Sequence, residues 1–362
     1  MTSASARRNV GGDTQSGYPE RRDRLRRLVA RLWLFVLIAL YYSLFTYPRV
    51  WWQDLVHGLS LALVPPLLLA SIVHARALRR YGLRFGVVFA LALEVACIAR
   101  VGWVVRPYVT YSTELEKRAT HIVRPNFLLI DGTSPIVNPA PLDKVRQEFL
   151  PEVVVVLGAN NLEAPVSTSF GNYPYHLSSE EVFGSRVDIH SMWPFGLPVL
   201  RSLGVDAYPG VLAMIHVAPD LELEVGALDL QVPKAHLDYD RSRISARRLA
   251  SMLRYSEYPR LVFGGYRVPV TSPTTTVYVE QLRLKSVFFN RGWSGLASIV
   301  SKLWAPATSI NVFAAKSIKL EAVTEWSSER DGFRGISFSA ALPSSPTSPD
   351  ARREFLLDLA DP

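Results

Sequence analysis

Residues 141–158 read PLDKVRQEFLPEVVVVLG. The first ten fit a helix, and the run Val153–Leu157 that follows is short, β-branched and bounded by Pro and Gly, which reads as a strand. Working outward, strands of the same kind are expected at 127–130, 211–217, 221–228, 260–263, 309–314, 318–324 and 335–341, with helices at 240–255 and 274–282. Ile244, Leu249, Met252 and Leu253 share one face of the longer helix, which opens on Asp240. Short strands and helices mixed in this order point to a layered α/β sandwich.

N-terminal to this region the pattern changes. Three apolar runs, 28–47, 55–73 and 85–105, are each long enough to cross about 30 Å of hydrocarbon at 1.5 Å per residue. The charge divides with them. Residues 1–105 hold 14 Arg and five acids, whereas residues 106–362 hold 26 Lys and Arg against 27 acids, so the net +8 belongs to the N-terminal third. That basic excess bears on membrane topology and gives no reason to expect a nucleic-acid partner. Arg7, Arg8, Arg21, Arg22, Arg24, Arg26 and Arg27 precede the first run, Arg31 lies in its first turn, and Arg76, Arg79, Arg80 and Arg84 fill the second loop. By the positive-inside rule both segments are expected in the cytoplasm and the remainder of the chain outside, which in a bacterium is the periplasm. No small-x-small site follows Tyr47 and two further apolar runs do, so the first run is read as an uncleaved anchor.

Glu94 and Arg100 lie within the third run. Arg100 is near enough to the outer end to snorkel, which leaves Glu94 as the costly group, expected to bond a neighbouring helix or subunit. Pro65 and Pro66 are expected to kink the second helix, and His57 and His74, which flank it, are read as interfacial residues without a role, a pigment or metal being the alternative. The single cysteine, Cys97, excludes an intramolecular disulfide and any Cys-rich metal site.

Several pieces of the C-terminal part, in order, carry a resemblance. They are FLLIDGTSP (127–135), PLDKVRQEFLPEVVVVLG, LELEVGALDLQVP (221–233), the long stretch from Arg241 to Ser286 that contains LVFGGYR, INVFAAKSIKLEAVTEW (310–326) and GFRGISFSAAL (332–342). Residues 124–342 thereby resemble the endonuclease/exonuclease/phosphatase superfamily. The resemblance implies a four-layer αββα sandwich with a metal-dependent phosphoesterase site at one edge. The divisions expected along the chain are an Arg-rich cytoplasmic segment at 1–27, three transmembrane helices within 28–105, a connector at 106–123, the sandwich at 124–342, and a Pro/Ser linker with a short amphipathic helix at 343–362.

The chemistry that the resemblance implies is absent from the aligned positions. Asp131 stands for the Asn of the first strand, Gly158 for the metal-binding Glu, and Asp229 for the phosphate-facing His. Gly264-Gly265-Tyr266-Arg267 stands for Gly-Asp-Phe-Asn, so Gly265 and Arg267 replace the Asp and Asn; Asn311 replaces the next Asp, and Phe333 and Arg334 fall at the final Asp-His. Glycine offers a metal no side chain, and an arginine repels one; Arg267 or Arg334 is expected to pair with Asp131 or Asp229 instead. No catalytic residue, metal or cofactor is therefore expected. GxSxG, Walker A, GxGxxG and HExxH are all missing, and Gly292-Trp293-Ser294-Gly295 reads as a turn. His121, His176, His190, His216 and His236 lack ligand spacing and read as scattered polar residues, while the aromatic-rich stretch 170–193 reads as edge loops, open to protein recognition or to plain packing.

The expected function is that of a noncatalytic, membrane-anchored structural or interaction subunit whose partners are the bilayer and other membrane proteins, such as a respiratory or photosynthetic complex. The alternative is a divergent metal-dependent phosphodiesterase or phosphatase for a lipid headgroup or nucleotide, using Asp131, Asp229 and Asp331. A weaker reading is an anion sensor built on Arg267 and Arg334.

Overall fold

The computed structural model describes residues 17–46, 49–81, 84–109, 122–132, 140–161, 169–218, 221–231, 236–254, 258–266, 272–286, 310–315, 317–328 and 333–343. The chain divides into two compact units, Met1–Tyr42 with Pro66–Ile98, and Ser43–Pro65 with Ala99–Pro362.

Three long helices come first: α1 (Gly17–Phe45), α2 (Trp51–Tyr81) and α3 (Phe85–Val109). Each contains a window long and apolar enough to cross a membrane, at Leu28–Phe45, Ala62–Arg80 and Phe85–Trp103. Phe35, Leu69, Ile72, Val73, Val95 and Trp103 stand exposed on them. Apolar side chains exposed along helices of this length fit a lipid solvent, because water would penalise each by about 1.5–3 kcal/mol. Helix α2 runs unbroken through Pro65 and Pro66.

The remaining elements build two sheets. One has the order β1 (Ile122–Val123), β13 (Phe333–Pro343), β2 (Asn126–Asp131), β3 (Val153–Leu157), β5 (Val187–Ser191), β4 (Tyr175–Ser178), with β12 (Lys319–Ser328) also paired to β13. The other has the order β10 (Lys285–Ser286), β11 (Ile310–Ala314), β9 (Arg260–Gly265), β8 (Leu221–Asp229), β7 (Gly210–Ala218), β6 (Phe195–Leu200). Each sheet holds one parallel pair, β2 with β3 and β8 with β9. A parallel pair needs a crossover, and a helix supplies it in both cases: α4 (Ala140–Phe149) and α5 (His236–Leu253). The central strand β3 is buried at all five positions, as a strand covered on both faces must be, which is why it reads as an uninterrupted apolar run.

Two buried clusters define the layers. Leu142 and Val145 of α4 pack with Leu128, Ile130, Val154 and Val156 on one face of the first sheet. The larger cluster joins the opposite face to the second sheet and to Leu249 and Leu253 of α5. Phe127, Phe338 and Phe263, from β2, β13 and β9, meet at the centre with ring centroids 5.3–6.0 Å apart and stitch the two sheets together. Helix, sheet, sheet and helix are the four expected layers. A last helix, α6 (Pro273–Leu282), starts where Ser272 caps Thr274 N and Pro273 takes the first turn.

The stretch 170–193, expected as loops, instead carries β4 and β5. Strands β1, β6 and β10 were likewise not expected. The connector at 110–121, Gly292–Gly295, His121, and the tail from 344 to 362 lie outside the described residues.

Candidate functional site

Most of the aligned positions fall at strand ends on one edge of the sandwich. Asp131 is the last residue of β2; its parallel neighbour is Leu157 and its antiparallel neighbour across the ladder is Arg334 of β13. Asp229 is the last residue of β8 and lies beside Gly265 of β9. The turn between β4 and β5, closed by a bridge between Val182 and Ser185, brings the two sheets' ends together there: Ala159 N donates to Arg186 O at 2.8 Å, and Ser185 Oγ donates to Asp229 Oδ2 at 2.6 Å.

The side chains at this edge are committed to packing. Gly158 follows β3 with φ +64°, a left-handed turn that leads into the short 3-10 helix Ala159–Asn161. A residue with a Cβ is strained there by roughly 1–2 kcal/mol. Gly158→Ala is accordingly expected to lower stability by about 1 kcal/mol, and Gly158→Glu, which restores a carboxylate at that point, should do the same without conferring magnesium-dependent hydrolysis. Thermal unfolding of the detergent-solubilised chain checks the first and a phosphodiester assay the second; a glutamate variant that hydrolyses would reverse the reading.

Asn311 Oδ1 accepts from Ser286 Oγ at 2.7 Å and from Val312 N at 2.8 Å, and the residue is buried. Gly264 makes room for the ring of Tyr266, which packs against Tyr278 and Phe313 at centroid distances of 5.7 and 5.5 Å. Burial pushes the Tyr278 hydroxyl far above the usual tyrosine range, so it stays protonated at any physiological pH. Arg267, Asp331 and the side chain of Phe333 lie outside the described residues.

These residues do not fit a hard divalent cation. Such an ion takes six to eight oxygens at about 2.0–2.6 Å. Gly158 and Gly265 supply none, the Asp229 carboxylate accepts from Ser185, the Asn311 oxygen is spent on Ser286, and Arg334 is the cross-strand neighbour of Asp131.

A second constellation lies among the long helices. Glu94 of α3 is fully buried; Trp33 Nε1 of α1 donates to its Oε1 at 2.9 Å, and His74 Nδ1 of α2 lies 2.9 Å from Oε1 and 3.1 Å from Oε2. His74, expected to be without a role, is thus the partner of the one buried carboxylate in these helices among the described residues. His57 is buried as well. Arg100 Nε donates to Leu44 O at 3.3 Å, and its guanidinium lies 5.8 Å from the centre of the Phe45 ring.

Two facing sheets with a helix crossover in each form an endonuclease/exonuclease/phosphatase-like sandwich, preceded in the chain by three long apolar helices. Several solved structures are similar to the chain, and the first of the following three carries that superfamily's name. One is the endonuclease/exonuclease/phosphatase from Beutenbergia cavernae, with 12% identity over 62% of this chain and 74% of that one and a TM-score of 0.41. Another is the human Nocturnin catalytic domain with bound sulfate, with 7% identity over 61% and 96% and a TM-score of 0.42. A third is a mannosyl-6-phosphatase from Bacteroides thetaiotaomicron, with 10% identity over 60% and 99% and a TM-score of 0.40. No protein-family model and no curated protein matches the sequence. At such identities these likenesses say nothing of activity, substrate or partner.

Proposed function

We propose that the protein is a noncatalytic, membrane-anchored subunit: three helices cross a bacterial inner membrane with the N-terminus in the cytoplasm, and the sandwich stands in the periplasm as a structural or binding element of a larger membrane complex. The observation behind this reading is that the strand ends keep their architecture while their side chains are absent or engaged with one another, as Gly158, Asp229 with Ser185, and Asn311 with Ser286 are. A domain under selection for hydrolysis has no reason to lose its carboxylates and keep its frame. The orientation rests on the arginines of the first segment and the second loop.

Purification from the native membrane in mild detergent tests the proposal. The chain is expected to co-migrate with other membrane subunits in fixed ratio and to show no magnesium- or manganese-dependent hydrolysis of phosphodiesters or phosphomonoesters. Migration only as a free monomer would remove the complex, and metal-dependent hydrolysis lost on Asp131→Ala would establish the divergent phosphoesterase instead.

A further inference from the structure

Away from the strand-end edge, the outer strands of the first sheet bring together three residues that the sequence scatters. His176 on β4 is the direct cross-strand partner of His190 on β5, and their rings stack with centroids 4.4 Å apart. Asp188, two residues before His190 on β5, places Oδ2 3.7 Å from His176 Nε2. One ligand atom from each of the three lies within 4.8 Å of the other two. The partners of Asp188 and His190 on β3 are Val156 and Val154, which belong to the cluster under α4, so the trio sits on the face of the sheet turned away from the second sheet. This corrects the expectation that His176 and His190 are unrelated polar residues.

The burial is uneven in a telling way. Asp188 and His190 are 4% and 8% exposed, while the His176 side chain is about half exposed at 48%. The buried His190 Nε2 has no hydrogen-bond partner among the described residues. An unpaired polar atom at that depth costs about 1–3 kcal/mol unless something satisfies it. Burial, and next the neighbouring His176, push His190 down to about 4. Burial alone would raise Asp188, but hydrogen bonds from His176, Arg186 and Ser178 and the charge of Arg186 outweigh it and hold the carboxyl below its usual range.

We propose that His176, Asp188 and His190 form a binding site for a late first-row divalent metal of the zinc class, separate from the degenerate edge. Two imidazoles and one carboxylate suit such borderline ions and not magnesium or calcium, which want oxygens alone. Tetrahedral zinc with ligands at about 2.0–2.2 Å sets them roughly 3.4 Å apart, so the ligand atoms need to close in by little more than about 1 Å. The half-exposed His176 on an edge strand is free to make that adjustment, and three protein ligands leave a fourth position for water.

Arg186 is the group that opposes the site. Its Nε and a terminal nitrogen donate to the two Asp188 oxygens at 2.9 and 3.0 Å. Each carboxylate oxygen carries a second lone pair, and a ligating carboxylate held by an outer hydrogen bond is the common arrangement around zinc. Arg186 thus acts as an orienting partner that weakens affinity by its charge without blocking the ligand. Ser178 Oγ, 3.2 Å from His176 Nε2, must give up that contact.

Titration of the full chain in detergent with zinc, and with cobalt for its visible absorption, tests the proposal. One ion per chain is expected, with the absorption of tetrahedral cobalt. His176→Ala, at an exposed position that leaves the fold intact, and His190→Gln should each weaken binding at least tenfold. His236→Ala, which removes an imidazole paired with Asp240 on α5, should leave it unchanged. Equal binding by wild type and His176→Ala would overturn the site. So would binding that appears only when Arg186→Gln is introduced, since the guanidinium would then own the carboxylate.

Discussion

Replacing Gly264 with alanine is expected to destabilise the sandwich by about 3 kcal/mol, the upper part of the range for forcing a methyl into a filled core. A Cβ at this position would overlap the Tyr266 ring and come within 2.6 Å of its hydroxyl oxygen. An exposed side chain would swing aside. Tyr266 is 1% exposed and is held between Tyr278 and Phe313, which themselves lie 5.4 Å apart, so its ring has no second place to go. Thermal unfolding of the solubilised chain should show a drop of roughly 6–12 °C at about 2–4 °C per kcal/mol for a domain of this size. The same substitution made in a Tyr266→Ala background should cost under 1 kcal/mol, because the obstacle is gone. Equal costs in both backgrounds would mean that the ring is not what Gly264 accommodates. Within Gly264-Gly265-Tyr266 the glycine and the aromatic ring thus form a packing pair.

The same contrast decides how much of the molecule could be read from its sequence. Strands β3, β7, β9 and β11 were legible because each is buried on both faces and shows as a short, mainly apolar run: Val153–Leu157 has its observed bounds, and the others fall within two residues of theirs. Helices α4 and α6 fall within one residue of their expected bounds, whereas α5 starts at His236, four residues before the expected Asp240, and ends at Leu253. The outer strands were hidden for two separate reasons. Strand β6, FGLPVL, has no residue fully buried and contains Pro198, so neither alternation nor an apolar run marks it; an edge strand can carry a proline because one side of its backbone pairs with nothing. Strand β5, VDIHS, is buried at every position yet holds Asp188, His190 and Ser191, whose polarity reads as loop. The polar atoms of Asp188 and Ser191 are accommodated by partners from outside the strand, Arg186 and His176 on Asp188 and Trp193 N on Ser191 Oγ, whereas His190 Nε2 is left to the proposed metal.

That hidden strand also concealed the histidine pair. His176 and His190 are 14 residues apart, a spacing with no meaning for a helix or a metal loop. They meet because β4 and β5 form a hairpin whose register sets them opposite. Register follows from the turn and from the buried face, and neither can be placed until the strands are known. The strand-end edge was more open to sequence reasoning, since Asp131, Gly158 and Asp229 follow directly from where legible strands end. The Ser185–Asp229 bond was not, because Ser185 sits in the turn of that same unread hairpin.

Glu94→Ala is expected to loosen the helical unit by about 1–3 kcal/mol, and Glu94→Gln by less than half of that. The carboxylate receives Trp33 of α1 and contacts His74 of α2 from its own place on α3, so one side chain ties three helices. Hydrocarbon offers no replacement for a lost partner, and interhelical hydrogen bonds measured in membranes contribute about 0.6 kcal/mol on average and up to about 1.7 each. Alanine leaves both the indole N–H and the imidazole without the group they face. Glutamine keeps an oxygen for Trp33 and an amide able to donate or accept at His74, whichever tautomer is present. Thermal denaturation in mild detergent should therefore rank wild type above Glu94→Gln and Glu94→Ala last. Co-purification from the native membrane should follow the same order if Glu94 serves to hold the anchor together. A glutamine variant as stable as wild type that nevertheless loses its partners would assign the negative charge itself to the complex. An alanine variant that melts with wild type would show that Trp33 and His74 find other bonds, and that Glu94 is not what joins the helices.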